Sequence, residues 1–326
     1  MGAERWQKSR TKMARSFFRI ALIFIALPGL LSTLGEPAFA RPRALLRPIG
    51  QGKAMSRAQR RRLRFSDLVD RRVTPAIVGS QLRRLQKKHP ERIKLSTIGQ
   101  AHGEPLYRVD VASSRGKRGK KPLRVLVSAG VHGNEPAGVE AALRLVERAV
   151  KDKGMQRNFS ITVMPMVNPE GLMRNQRKNI VGQDVNRTFR PGKWSLESKA
   201  VRRSLAGEKY DLFVDLHGAQ GKGFFLIRGK DDGGLSARIL RPMENHALLN
   251  SAAPDGKVGP YRLHTLGGAT SNNPGTFKGF MLDKHNARYS YTLEYPRTLP
   301  PDRQVNGLFK LLRSTLYNVR QHGIFD

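Results

Sequence analysis

Apolar positions along this chain recur with two different periods, and segments of the two kinds alternate. Ile77, Leu82 and Leu85 lie on one side of a helical wheel ahead of Pro90, which predicts a short amphipathic helix stopped by that proline. Residues 93–98 and 106–111 read as strands, joined by a turn that begins and ends on Gly99 and Gly103. Residues 123–129 form a run apolar enough for an interior strand. Past it, Val139, Leu143, Val146 and Val150 recur at helical spacing, with Pro136 suited to a first turn. Residues 161–167 and 212–216 predict two more buried strands, 224–228 a short one and 289–294 a late one. Val305, Leu308, Phe309, Leu312, Leu316 and Val319 mark a closing amphipathic helix. Strands alternating with helices predict an α/β fold, a sheet flanked by helices.

The first 75 residues follow neither period. Basic residues between Arg5 and Arg19 precede an apolar run over 20–27, then Pro28 and Gly29. Pro37-Ala38-Phe39-Ala40 offers small side chains at the two positions a signal peptidase reads. From Ile20 to Leu34 there are 15 residues, short of the ~20 needed to span a bilayer. The expectation is a cleaved signal peptide over 1–40, and with it export to a periplasmic or extracellular space. Arg15 and Arg19 are not adjacent, so the leader lacks a twin-arginine pair. From Arg41 to Arg64 there are nine basic residues and no acidic ones, interrupted by Pro42, Pro48, Gly50 and Gly52. That composition cannot bury a core and predicts a polybasic, flexible arm over 41–75 ahead of a folded domain over 76–326.

Composition narrows the chemistry. With 326 residues, 39% of them hydrophobic, the chain has ample material for a core and is not disordered throughout. It has no cysteine, which excludes a disulfide scaffold, thiolate metal sites, iron–sulfur clusters and a cysteine nucleophile. Any metal must be held by histidine and carboxylate. The net charge is +35, of which residues 1–40 contribute only +4. Such a surplus predicts attraction to an anionic surface, and in an exported protein that surface is the cell envelope, met through the basic arm, and not nucleic acid.

The informative feature is where histidine and carboxylate fall relative to the strands. His132-Gly133-Asn134-Glu135-Pro136 follows the strand at 123–129 and precedes a helix, and His217 lies one residue beyond the strand at 212–216. Ligands in open α/β sheets gather at the carboxyl ends of strands, so both segments face one crevice. Two imidazoles and a carboxylate, with a fourth position left for water, form a catalytic zinc set. His-x-x-Glu alone is a weak signal; its place at a strand end, with a second strand-end histidine, strengthens it. His89, His102, His246, His264, His285 and His322 lack such placement and read as surface or loop residues. Asn168-Pro169-Glu170-Gly171 ends a further strand and is followed by Arg174, Arg177, Asn179, Gly182, Asp184, Asn186 and Arg187, while Glu294 ends the strand at 289–294. A metal hydrolase needs a base for the water proton, a cation for the developing oxyanion and a clamp for the substrate. Glu294, Arg177 and the pair Asn186 and Arg187 can supply these roles, arginine because its planar fork suits a carboxylate.

The ordered set His132-x-x-Glu135, Asn168-Pro-Glu-Gly171, Arg177-x-Asn179-x-x-Gly182-x-Asp184-Val-Asn186-Arg187-x-Phe189, His217 and Glu294 resembles the zinc carboxypeptidases, peptidase family M14, from about Ala76 to the C-terminus. The resemblance implies a three-layer α/β/α sandwich with a mixed sheet, one zinc ion per chain and amide hydrolysis. Carried over by position, it implies zinc ligands His132, Glu135 and His217, a general base Glu294, a carbonyl-polarising Arg177, and Asn186 and Arg187 on the substrate carboxylate. Two departures bear on substrate. Gly133-Asn134 stands where digestive-type members carry an arginine before the zinc glutamate, and the short interval from Glu135 to His217 resembles the succinylglutamate desuccinylase/aspartoacylase branch. The capping tyrosine that the resemblance implies about two dozen residues before the base is missing, and Asn272, Asn273, Pro274, Gly275 and Phe277 occupy that stretch. The expectation is thus an exported zinc metallocarboxypeptidase acting on short peptides, including those of the cell wall. A zinc-dependent N-acyl amino acid deacylase is the first alternative and a non-catalytic envelope-binding protein the second.

Overall fold

The structure, a computed structural model, describes residues 73–114, 121–221, 223–244, 257–258, 261–262 and 268–325. The leader over 1–40 and the arm expected over 41–75 lie outside the described residues as far as residue 72, while Val73 packs against the core and Thr74 and Pro75 begin the first helix, so the folded part starts slightly earlier than the expected 76. Helix α1 (Pro75–Lys88) starts at Thr74, whose Oγ1 accepts the Ile77 amide at 3.3 Å, and Lys87 and Lys88 complement the dipole of its last turn. Strands β1 (Ile93–Ala101) and β2 (Glu104–Val111) form a hairpin. Then follow β3 (Leu123–Ala129), α2 (Pro136–Lys151), α3 (Lys153–Asn158), β4 (Phe159–Met164), α4 (Pro169–Arg174) and α5 (Leu196–Ser204). Next come β5 (Leu212–Ala219), β6 (Phe225–Arg228), α6 (Leu235–Glu244), the small hairpin β7 (Lys257–Val258) and β8 (Tyr261–Arg262), and β9 (Gly268–Thr270). Helix α7 (Phe277–His285), β10 (Tyr289–Pro296) and α8 (Pro301–His322) close the chain.

Eight strands make one sheet in the order β1-β2-β4-β3-β5-β10-β6-β9. Its centre, β4, β3, β5 and β10, is parallel; β1 and β2 pair antiparallel with their neighbours, β6 runs antiparallel to β10, and β9 lies parallel to β6. Helices cover both faces, so the mixed-sheet sandwich expected from the sequence is the fold observed. Side chains alternate across the sheet with period two. Val125, Val127 and Ala129 of β3, Leu212, Val214 and Leu216 of β5, and Tyr291, Leu293 and Tyr295 of β10 join the core packed by α1, α2, α6 and α8. Leu126 and Phe213 point the other way, into a second core with Val201 and Leu205 at α5 and Phe277, Phe280 and Met281 of α7. Each large side chain so buried contributes ~1.5–3 kcal/mol against unfolding. The same parity fixes the polar residues: with 212, 214 and 216 on the first face, Asp215 and His217 point to the α5 and α7 side, and so do Thr292 and Glu294.

Three expectations need correction. His217 does not lie beyond its strand: β5 continues to Ala219, because β10 runs beside it in register as far as Pro296. The strand expected over 161–167 ends at Met164, ahead of Pro165, although the Val167 and Asn168 amides still bond the carbonyls of Ala129 and Gly130 at 3.0 and 2.8 Å. His285 is buried, with Nδ1 2.8 Å from the Glu208 carbonyl, and is not a surface residue. Among the described residues no helix is long and apolar enough to cross a membrane.

Candidate active site

The carboxyl ends of β3, β5 and β10 lie side by side, and each delivers part of one polar cluster. After β3 the backbone turns through Gly130 at φ +61°, a left-handed conformation that a side chain would strain. His132 follows, and Glu135 stands at the residue before α2, its side chain left free of capping, with Pro136 in the first turn. Gly133 between them abuts the backbone of Gly171 at α4, where a Cβ would overlap the Gly171 carbonyl. On α4, the Asn168 side chain caps the helix by accepting the Gly171 amide at 2.9 Å.

His132, Glu135 and His217 converge, all three buried. His132 Nδ1 lies 2.9 Å from Glu135 Oε1 and 3.1 Å from His217 Nδ1, and His217 Nδ1 lies 3.0 Å from Glu135 Oε2. The far nitrogen of each ring meets a carboxylate: His132 Nε2 is 3.2 Å from Asp184 Oδ1, and His217 Nε2 is 2.8 Å from Asp215 Oδ2. Protons held at those outer nitrogens leave both Nδ1 lone pairs facing inward beside the Glu135 oxygens. Two nitrogen donors and a carboxylate aimed at one point suit a divalent cation, and carboxylates behind metal-bound histidines orient the rings and raise their basicity. The donor set fits zinc.

The outer carboxylates are themselves anchored. Asp215 accepts Ser128 Oγ at 2.5 Å from the neighbouring strand, where the two residues stand in register. Asp184 accepts the Asn186 amide at 3.0 Å, capping the 3-10 turn Val185–Arg187, and its other oxygen accepts Arg177 Nε and Nη2 at 3.2 and 3.1 Å. Burial works against charge on Asp184, but His132, Arg177 and Arg187 more than offset it and hold this carboxyl well below its usual range. Burial likewise opposes charge on Glu135, and the two imidazoles overcome it in the same way. His217 responds in the opposite sense: burial would lower its pKa, but Asp215 and Glu135 hold it well above the ordinary histidine value.

Arg177 reaches the cluster from its half-exposed rim, with Nη1 3.3 Å from His132 Nδ1 and 3.7 Å from Glu135 Oε1. Asn186 is buried beside His217, its Nδ2 3.4 Å from His217 Nε2, while its Oδ1 accepts the Phe277 amide at 2.9 Å. Arg187 stands further out, with Nη1 donating to the Asn186 carbonyl at 2.9 Å. Glu294 is opposite His217 in the parallel pairing of β10 with β5, one strand spacing away, ~4.8 Å. Desolvation pushes its carboxyl up to about 7. All seven residues singled out in the sequence are thus near one another, and Arg187 has the least direct contact with the rest. Asp184 entered the sequence reading only as part of a motif, without a role, and Asp215 and Ser128 were given none. The signal for Asp215 was available, because residues two apart on a strand share a face, so Asp215 backs His217.

The sequence profile of the zinc carboxypeptidase family matches residues 78–309. Carboxypeptidase SOL1 of Arabidopsis thaliana is 28% identical over 157 residues, covering 43% of this chain and 32% of that protein. Carboxypeptidase E of Caenorhabditis elegans is 30% identical over 135 residues, covering 35% of this chain and 29% of that protein. The match thus spans about a third of the length of these curated relatives. Carboxypeptidase A of Helicoverpa armigera superposes with a TM-score of 0.60 at 16% identity, over 83% of this chain and 77% of that one, a likeness of fold. Both the profile match and the strand-end cluster of His132, Glu135 and His217 make this chain a member of the zinc carboxypeptidase family, peptidase family M14.

Proposed function

We propose that the mature protein is an exported zinc-dependent metallocarboxypeptidase that hydrolyses amide bonds of short peptides, those of the cell wall included. The observation that carries this reading is the inward convergence of His132, Glu135 and His217, with Glu294 in register beside His217 and the Arg177 guanidinium at the rim. Zinc, when bound there, supplies a Lewis acid and lowers the pKa of a water toward ~7. Glu294 takes the proton from the attacking water and delivers it to the leaving amine; a carboxyl raised to about 7 is matched to both tasks at neutral pH. Arg177 stabilises the oxyanion with Nη1, while its Nε and Nη2 stay held by Asp184. Asn186, oriented by the Phe277 amide, and Arg187 grip the terminal carboxylate of the substrate. Asp184 and Asp215 keep the outer imidazole nitrogens protonated.

The basic leader and the polybasic arm support export and retention at an anionic envelope. Mass spectrometry of products from a peptide and muropeptide library is the decisive experiment. Stepwise, zinc-dependent loss of residues from the C-terminus is expected, and its absence with zinc bound would refute the carboxypeptidase reading. Gly133-Asn134 and the short interval from Glu135 to His217 favour a second reading, an N-acyl amino acid deacylase. Hydrolysis of N-acyl amino acids without trimming of peptides would select it.

A further inference from the structure

Arg177 stands on a stretch without helix or strand, between α4 and the 3-10 turn that starts at Val185. Its place beside the cluster is therefore set by hydrogen bonds and not by a regular element. The near leg of the stretch is tied to α4: the Gln176 amide donates to the Gly171 carbonyl at 2.8 Å, and Asn168 Nδ2 donates to the Arg177 carbonyl at 3.4 Å. Beyond it the chain reverses. The Asn179 amide donates to the Gln183 carbonyl and the Gly182 amide to the Asn179 carbonyl, both at 3.0 Å. Asn179 Oδ1 accepts the Gln183 amide at 2.9 Å. Arg177 and Asp184 thus stand on the two legs of one closed turn and bond each other across it.

Packing does not hold this turn down, since Ile180 and Val181 at its tip are exposed. The Asn179 side chain does: it is buried, and its Nδ2 donates to both oxygens of Glu197 at 3.2 and 3.3 Å. Among the described residues this is the one hydrogen-bonded tie from 178–183 to another element. Glu197, the second residue of α5, is fully buried. The turn after β1 closes over it, with His102 in the left-handed region at φ +51° and its Nε2 4.0 Å from Glu197 Oε1. A glutamine would fill the same space with less desolvation. Its amide, however, both donates and accepts, so Asn179 could meet it in either of two orientations, whereas a carboxylate only accepts. Glu197 therefore turns Nδ2 of Asn179 inward and leaves Oδ1 for the Gln183 amide. One orientation of Asn179 survives, and it is the one that closes the turn.

We infer that Glu197 is a positioning residue: through Asn179 it seats the 179–183 turn, and so fixes the reach of Arg177 Nη1 toward the oxyanion, while touching neither substrate nor metal. This inference rests on the peptidase reading, in which Arg177 polarises the scissile carbonyl. Donors that stabilise a transition state act by being in place before the charge develops, and a misplacement of about 1 Å costs ~10²-fold in rate. An arginine on a loop without regular structure meets that demand only if the loop is anchored. The anchor here lies on α5, a different element from those that bear the metal ligands.

Steady-state kinetics of the zinc-loaded full chain on a blocked dipeptide tests this. Glu197→Gln should lower kcat roughly 10- to 100-fold and change KM less than about 3-fold, because the oxyanion contact is made in the transition state alone. Arg177→Ala lacks the group being positioned, so adding Glu197→Gln to it should cost no more than about twofold. A role confined to folding would give the same loss in both backgrounds, and that result would overturn the inference. Asn179→Ala, on the loop itself, makes the same test if the α5 variant folds poorly. Hydrogen exchange in the zinc-loaded chain separates this inference from the peptidase reading. The Asn179, Gly182 and Gln183 amides should exchange at least about 10-fold faster in either variant, and unchanged exchange would overturn the anchoring. Faster exchange in a protein that cuts no peptide refutes the peptidase reading and leaves Glu197 as the anchor of the turn. Faster exchange with kcat kept removes the positioning role and leaves the peptidase reading standing.

Discussion

Asp215 has both oxygens committed, one to His217 Nε2 and one to Ser128 Oγ, and it is fully buried. Asp215→Asn keeps the shape but can present its amide nitrogen to the ring, which favours the wrong tautomer. Zinc affinity measured by competition with a chelator should fall roughly 10- to 100-fold. Unchanged affinity would mean that the aspartate does not orient the ligand. Glu294 makes the complementary case. Glu294→Gln should keep zinc while turnover falls roughly 10²–10⁴-fold. The pH profile carries a sign as well. Only the carboxylate form accepts a proton, so kcat/KM rises as pH rises through the pKa of Glu294. Desolvation sets that pKa at about 7, and a nearby cation lowers it. The acid limb should therefore lie between the ordinary carboxylate range and about 7, and it should vanish with the residual activity of the Gln variant. A limb well above 7 would point to another group.

At the scale of elements, α2 carries an internal liability. Glu140 is 7% exposed, one of its oxygens has no partner among the described residues, and burial raises its pKa to about 7 despite the charge of Arg144. A carboxyl whose folded pKa lies above its unfolded value holds its proton more tightly in the native state. Stability is then lost as pH rises from the ordinary carboxylate value through about 7, at up to ~1.4 kcal/mol per unit, and is level beyond. Glu140→Gln should accordingly be more stable than the wild type at about pH 8, by ~1–3 kcal/mol in urea unfolding, with the gap closing below about pH 5. The elements also show what the chain made legible. Strands β3 and β5 were readable because both faces are largely buried and the runs are mostly apolar, and β10 because Tyr289, Tyr291, Leu293 and Tyr295 alternate with polar residues at the strand period. Helix α7 was not, because Phe277, Lys278, Gly279, Phe280 and Met281 are all buried, and a helix without a polar face has no helical period to detect. Helix α5 failed for the opposite reason. Its inner side holds polar Glu197 and Ser198, satisfied by Asn179 and by the hydroxyls of Thr188 and Ser195, so hydrophobicity gave no cue. The metal ligands were legible because glycine and proline punctuate the strand ends that bear them. The tie of Asn179 to Glu197 was invisible, since only the tertiary fold brings α5 against the loop that bears Arg177.

For the whole molecule, the sheet gathers its chemistry at the carboxyl ends of central strands, while a dense run of positive charge lies ahead of them in the sequence. Nine basic residues from Arg41 to Arg64 precede every site residue. Each exposed cation near an acidic surface contributes ~1 kcal/mol at most, fading within roughly 8 Å in physiological salt. Deleting 41–64 should weaken cosedimentation with acidic vesicles or cell-wall preparations, with the difference shrinking as salt rises, and leave turnover of a small soluble peptide nearly unchanged. Loss of zinc or of folding in the truncated protein would make the segment part of the catalytic domain. The contact of Gly133 with Gly171 has a separate consequence for how such a site can be altered. The turn bearing His132 and Glu135 leaves no room for a side chain against α4, so the two segments form a single mechanical part despite lying almost forty residues apart. Neither can be exchanged alone with a homologous loop of different backbone path. A chimera that replaces 130–135 and 168–174 together should retain the metal, and one that replaces either by itself should lose it.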